Sequence, residues 1–362
     1  MNFSFGEEVM DTIKLLEKLS NLHGAPGHEQ EVLEFIKDNM KGYICERDSI
    51  NNLYIKTNIE QDKPVVALDC HSDEVGFIVE GIKANGTITF LPLGGWHITN
   101  IPAHSVVIRN FKGDYIKGVV SSKPPHFMTA EEKQRLPKME ELVIDIGTSS
   151  YEETVELYGI EVGNPITPDV MFSYDEKIEV VRGKAFDNRL GCAIVMEIMK
   201  EIKSKELKVE AVGVVSAQEE VGLRGAQVAA NTVRPDFAII FEGSPADDTF
   251  KDTFSSKGAI GKGVQLRVLD AGMVSNPRVQ EFVKNIAIKN HIPFQVIARS
   301  GGSTNGGKYH IAEKSIPTVV IGIPTRYIHT HYTYASVKDF KNAICLGEKI
   351  LEELSKDTIK SF

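Results

Sequence analysis

Apolar positions along the chain follow two different rhythms. Up to about residue 40 they recur at helical spacing: Ile13, Leu16 and Leu19 mark one face, and Val32, Phe35 and Ile36 another. The turn-forming HGAPGHEQ (23–30) separates them. Val65 to Leu68 is then a short unbroken apolar run, the pattern of a strand buried on both faces, and it ends in the polar stretch from Asp69 to Glu74. From about 75 to 180 short β-rich pieces (GTITFLPL, SVVIRNFKGDYIKGVVSS, ELVIDIG) alternate with glycine-containing turns. A hairpin is predicted around Lys112-Gly113-Asp114, and an exposed loop over 128–140. After 180 the mixed rhythm returns. LGCAIVMEIMKEI (190–202) and NPRVQEFVKNIAIKN (276–290) read as helices, the second opening on Pro277, where a missing N–H does no harm. VEAVGVVSA (209–217), FAIIF (237–241) and TVVIGIP (318–324) read as buried strands. The expected fold is therefore α/β with a mostly parallel sheet, formed by 1–74 and 180–362 and interrupted by a small β-barrel or sandwich at 75–179.

Polar chemistry gathers where those strand runs stop. After 65–68 come Asp69, Cys70, His71, Ser72 and Asp73; after 209–217 come Gln218, Glu219 and Glu220; after 237–241 comes Glu242; beyond 318–324 lies His329, with His331 two residues on. Asp187 directly precedes a helix. Ligands of open parallel sheets bind outside the carboxyl ends of the strands, so five segments deliver imidazole or carboxylate to one rim. Two imidazoles and three carboxylates suit a pair of zinc-like ions. Two divalent ions carry a charge of about +4, which Asp187, Glu220, Glu242 and one hydroxide would balance. Glu219, left over beside a ligand, is placed as a general base; Asp73, two residues from His71, is placed to orient that imidazole. Each acid also has a plainer reading, Asp187 as a helix cap and adjacent Glu219 and Glu220 as solvated surface.

Composition narrows the class. A net charge of −9 gives no basic surface for nucleic acid. Four scattered cysteines without a CxxC pair fit free thiols in a reducing compartment. The first residues lack a basic segment followed by an apolar one, and no apolar run reaches the roughly 18 residues that span a bilayer. The expectation is a cytoplasmic protein without membrane or nucleic-acid partners.

HSDEVG (71–76), AFDNRLGCA (185–193), SAQEEVGLRGA (216–226), FEGSPADDT (241–249) and PTRYIHT (324–330) together resemble the tetrahedral aminopeptidase family, which includes glutamyl aminopeptidase-like proteins and members once labelled cellulase M. GGW (94–96) and KPPH (123–126) in the insert resemble it too. The resemblance implies an α/β/α catalytic domain, a PDZ-like inserted domain, and a hollow dodecamer built from dimers. It implies that His71 and Glu242 complete one metal site and Glu220 and His329 the other, with Asp187 bridging and Glu219 as the base. It also implies removal of N-terminal residues from short peptides with two divalent ions, zinc or cobalt, with manganese as a further option. Two departures stand out: Glu242 where many members carry Asp, and Asn305 in SGGSTNGG (300–307) where many carry Asp. Gly302, Ser303 and Asn305 are expected near the substrate. Rival readings are another dinuclear amide hydrolase (a deacylase or carboxypeptidase), a glycosidase, which would need two carboxyls flanking the bond, or a non-enzymatic assembly protein that kept the scaffold.

Overall fold

The computed structural model describes residues 5–57 and 62–362, with side chains from residue 10 onward. The start of the N-terminal segment, residues 1–4, lies outside the described residues.

Two helices lead in, α1 (Phe5–Asn21) and α2 (Gln30–Asn39). They are followed by β1 (Ile44–Arg47), β2 (Leu53–Lys56) and β3 (Val65–His71). Six strands then close a barrel: β4 (Gly76–Ile82), β5 (Ile88–Leu93), β6 (Ser105–Arg109), β7 (Tyr115–Ser121), β8 (Val143–Asp145) and β9 (Pro165–Pro168), in the order β4-β5-β8-β7-β6-β9. Along β7 exposed and buried residues alternate strictly, with Ile116, Gly118 and Val120 inside, as the period of two in a one-sided antiparallel strand requires. β6 and β7 form the expected hairpin, with Gly113 in the left-handed region at φ 95°. The barrel core is Phe77, Val79, Ile88, Phe90, Val106, Ile108, Ile144, Ile166 and their neighbours.

The chain returns through β10 (Ser173–Asp175), β11 (Val180–Gly183), α3 (Phe186–Ile202), β12 (Glu210–Ser216), α4 (Arg224–Val233) and β13 (Phe237–Ala246). It ends with β14 (Val264–Leu269), α5 (Pro277–Lys289), β15 (Phe294–Ala298), α6 (Gly306–Tyr309), β16 (Thr318–Arg326), β17 (Thr333–Ser336), α7 (Val337–Glu353) and α8 (Lys356–Lys360). Asn276 caps α5 by accepting from the Arg278 amide at 3.0 Å.

One large sheet runs β1-β2-β12-β3-β13-β16-β17-β11-β10, with β14 and β15 attached beside β16. Its centre, β12-β3-β13-β16, is parallel, and both edges are antiparallel. The central strands read as continuous apolar runs because both faces are covered. Phe237, Ile239 and Phe241 pack into the core with α1, α2, α3, α5 and α7, whereas Ala238 and Ile240 face α4 and α6. This layered α/β architecture with an interrupting closed barrel is the fold expected from the sequence. Because the central strands are parallel, their carboxyl ends share one rim, with His71 paired in register with Ser216. Among the described residues no helix is long and apolar enough to cross a membrane.

Candidate active site

The rim collects what the strand ends were expected to deliver. His71, the last residue of β3, is fully buried. Its Nε2 lies 3.0 Å from Asp187 Oδ1, 3.2 Å from Glu242 Oε1 and 3.8 Å from Glu219 Oε2. His329 Nε2 lies 3.5 Å from Asp187 Oδ2 and 3.4 Å from Glu220 Oε2. Asp187 thus turns one carboxylate oxygen to each imidazole. His331 points elsewhere, stacked on His104 of the barrel with ring centroids 4.1 Å apart.

The backbone here is held in conformations that ordinary residues avoid. Ala185, Gln218 and His329 all have positive φ, at 57°, 53° and 58°. A Cβ on Gly243 would come 2.6 Å from Asp187 Cα, so only glycine lets Asp187 sit against the strand bearing Glu242.

Both imidazoles are oriented by backbone carbonyls. His71 Nδ1 donates to the Asp73 carbonyl at 3.1 Å, and His329 Nδ1 donates to the Gly95 carbonyl, just after β5 of the barrel, at 2.9 Å. A carbonyl only accepts, so each Nδ1 carries the proton and each Nε2 is turned toward the carboxylates. Two lone pairs facing four acids repel unless a cation lies between them, whether protons or metal.

The electrostatics make the same demand. Burial first, and then neighbouring carboxylates, push Glu220 and Glu242 up to about 8. Glu219 is raised well above the usual range by burial and by Glu242, Glu220 and Asp187, although His71 opposes this. Burial also works against ionised Asp187, but hydrogen bonds from His329 and His71 hold it well below the ordinary carboxylate value. Burial depresses His71 and His329, yet the surrounding acids outweigh it, raising His71 well above its normal value and His329 to about 10. Glu220 Oε1 and Glu242 Oε2 are buried with no hydrogen-bond partner. His71, Glu219 and Glu242 offer ligand atoms within 4.8 Å of one another, as do His71, Asp187 and Glu220. Orphaned oxygens, converging imidazole nitrogens and a surplus of negative charge fit divalent metal ions.

The remaining residues are placed as follows. The Asp73 carboxylate accepts from the amides of Glu219 and Glu220, both at 3.0 Å, fixing the turn that carries them. Its Oδ1 lies 3.4 Å from His71 Nδ1, whose hydrogen bond goes to the Asp73 carbonyl instead. Gly302 and Ser303 line a cavity of about 650 Å³ that opens on the rim. Asn305 does not line it. Its Nδ2 donates at 2.6 Å to both Asp69 Oδ1 and Ser216 Oγ, satisfying a carboxyl that burial raises to about 7. The cavity is also lined by Arg267, Arg299 and Lys308, which the sequence pattern does not mark as site residues. Arg267 was legible as a charge inside the apolar run VQLRVL; Arg299 and Lys308 carried no such signal.

A rim of imidazole and carboxylate on an α/β sheet, with the loop after β5 of the barrel orienting one imidazole, suits a metal-dependent hydrolase. Comparison with known proteins makes this specific. A family model described as M42 glutamyl aminopeptidase matches residues 51–346, and the chain belongs to that family. It is 34% identical over 353 residues to the "Putative aminopeptidase FrvX" of Escherichia coli, covering 97% of this chain and 98% of that one. Its fold matches the crystal structure of a TET aminopeptidase from the archaeon Thaumarchaeota archaeon SCGC AB-539-E09, with TM-score 0.93, 36% identity, and coverage of 97% and 99%. It also matches the Pyrococcus horikoshii TET1 peptidase, described as assembling into a tetrahedron or a large octahedral shell, with TM-score 0.85, 26% identity, and coverage of 95% and 100%. The chain is a peptidase of the aminopeptidase class, and its family and its rim residues together mark it as metal-dependent.

Proposed function

We propose that this aminopeptidase works with two divalent ions, zinc or cobalt, held by His71 and Glu242 on one side, by Glu220 and His329 on the other, and by Asp187 between them. The observation that carries this reading is Asp187, whose two oxygens face the two imidazoles separately, at 3.0 and 3.5 Å. Divalent ions in such a site supply Lewis acidity and lower the pKa of water. Glu219 stands farther from His71 than Asp187 or Glu242 does. Its carboxylate takes a proton from the attacking water and passes it to the leaving amine nitrogen. Burial among other acids raises its pKa, which suits a group that must hold that proton between the two steps. Asp73 keeps Glu219 and Glu220 in place through their amides.

The cavity also supports a substrate preference. Arg267 is 4% exposed; it pairs with Asp270 at 3.3 Å and donates to Ser244 Oγ, but its Nε has no partner. Arg299 donates to the Pro245 carbonyl, and its Nε is likewise unpartnered. With Lys308 they give the cavity a cationic lining that suits an anion. Short peptides beginning with Glu or Asp fit: the side-chain carboxylate meets the arginines while the scissile bond lies at the rim. Similarity to a shell-forming relative supports a homo-oligomer, with a dodecamer built from dimers as the specific expectation, and the sparse free cysteines support a cytoplasmic setting. A panel of aminoacyl-nitroanilides tests the reading. Glu and Asp derivatives should be cleaved at least tenfold faster than Leu or Lys derivatives, and N-acetylated peptides should resist. Preference for Lys, or cleavage of blocked peptides, would overturn it.

A further inference from the structure

Resting on the two-ion reading, we propose that Asn188 is a positioning residue that ties Glu242 to Asp187. Asn188 follows Asp187 directly and is fully buried. Its Nδ2 donates to the Phe241 carbonyl at 2.7 Å, and its Oδ1 accepts from the Gly243 amide at 3.2 Å. The carboxamide therefore grips the backbone on both sides of Glu242. It does so where the sheet lets go. The ladder between β3 and β13 ends at the rung Ile240↔Asp69, whereas on the other edge β13 stays paired with β16 through Glu242↔Gly322 and beyond. The Asn188 amide takes the place of the missing strand, so the height of Glu242 at the rim is set from the segment that carries the bridging acid.

The next residue extends the arrangement. Arg189, also buried, donates from Nε to the Ser72 carbonyl at 2.8 Å, just after His71. Three consecutive residues thus present a ligand, hold the strand end bearing Glu242, and hold the strand end bearing His71. The register among these three ligands depends on one short stretch of backbone and not on the sheet alone.

A plainer role exists for Asn188: its Oδ1 also accepts from the Gly191 amide at 3.0 Å, as a cap in the first turn of α3. The cap uses Oδ1 alone, whereas the grip on Glu242 also needs the Nδ2 donor, which makes the two roles separable. Asn188→Ser and Asn188→Asp both retain a capping oxygen, and both lose the Nδ2 donor to Phe241. Metal-stripped wild type and variants are dialysed against buffered zinc, bound zinc is counted by elemental analysis, and melting of the metal-free proteins is recorded alongside. The positioning role predicts that wild type holds two zinc ions per chain. In both variants one of the two is weakened by about 10–100-fold, beyond what any change in melting of the metal-free protein accounts for, and excess zinc restores part of the activity. A capping role alone predicts two zinc ions bound with wild-type affinity in both variants, and that result would overturn the proposal. Wild type that binds no zinc would instead remove the two-ion reading beneath it. Should Asn188→Ser fail to fold, Asn188→Asp, isosteric and also a capping residue, decides alone.

Discussion

Four consecutive residues, 71–74, span two buried charged clusters that are built on opposite principles. On one side lies the rim, where His71 and His329 face Asp187, Glu219, Glu220 and Glu242, with buried oxygens left unpaired. On the other side Glu74, Lys184 and Arg189, each about 1% exposed, are paired with one another and with nearby backbone carbonyls. Lys184 Nζ donates to both Glu74 oxygens and to the Leu22 carbonyl at 2.6–2.7 Å. Arg189 spreads its donors over Glu74 and the carbonyls of Leu19, Leu22 and Ser72. Burial alone does not distinguish function from structure, because both clusters are sealed. The difference is whether the protein completes its own hydrogen bonding. The inner cluster is closed and locks α1, the loop after β3 and the start of α3 together; the rim is open and incomplete without a ligand.

The largest expected effect falls on the rim. Glu219→Gln should lower turnover by roughly 10²–10⁴-fold, the usual weight of a general acid–base, with bound metal and melting temperature unchanged. Turnover within a few-fold of wild type would remove Glu219 from the mechanism. The matching change in the closed cluster should act on stability instead. Glu74→Gln leaves Lys184 and Arg189 buried without a counter-charge and should destabilise the protein by about 3–5 kcal/mol in urea unfolding. If it altered metal affinity while leaving stability intact, the division between the clusters would be wrong.

A smaller effect lies in pH. In the metal-free protein Glu220 and Glu242 are raised to about 8, so their favourable neutral form contributes stability below the ordinary carboxylate pKa, and this is lost as pH rises through 8. Glu74 is lowered, chiefly because Lys184 and Arg189 outweigh its burial, so its contribution is present above the ordinary pKa and lost only on acidification. Melting of the metal-free protein should therefore fall as pH rises from the ordinary carboxylate range to about 8. The slope should vanish in the metal-loaded protein and persist in Glu74→Gln. A flat metal-free profile would contradict the crowding of acids at the rim.

Much of the rim was legible in the sequence because His71, Glu219, Glu220 and Glu242 stand where apolar strand runs end. His71 follows VVALDC and Glu219-Glu220 follow VGVVSAQ, and that placement needs no tertiary information. The supports were hidden, because their partners are backbone groups far along the chain: Lys184 reaches Leu22, Asn188 reaches Phe241, and Asp73 reaches the amides of Glu219 and Glu220. In KAFDNRL only the aspartate carries a pattern that points to a metal. Asn305, expected near the substrate with Gly302 and Ser303, instead stands over a buried Asp69 of β3 that needs a donor. The edge strands, three or four residues each at 173–175, 180–183 and 333–336, are too short to show a period.

The central claim is that the open cluster is completed by two divalent ions and works only with them. It is tested most directly by stripping the enzyme with a chelator and titrating zinc or cobalt back, following glutamyl-nitroanilide cleavage, bound metal and melting temperature together. The account predicts that activity disappears on stripping and returns as bound metal approaches two ions per chain, with the melting temperature rising over the same range. Undiminished activity in thoroughly stripped enzyme, or activity restored without metal bound at the rim, would contradict it.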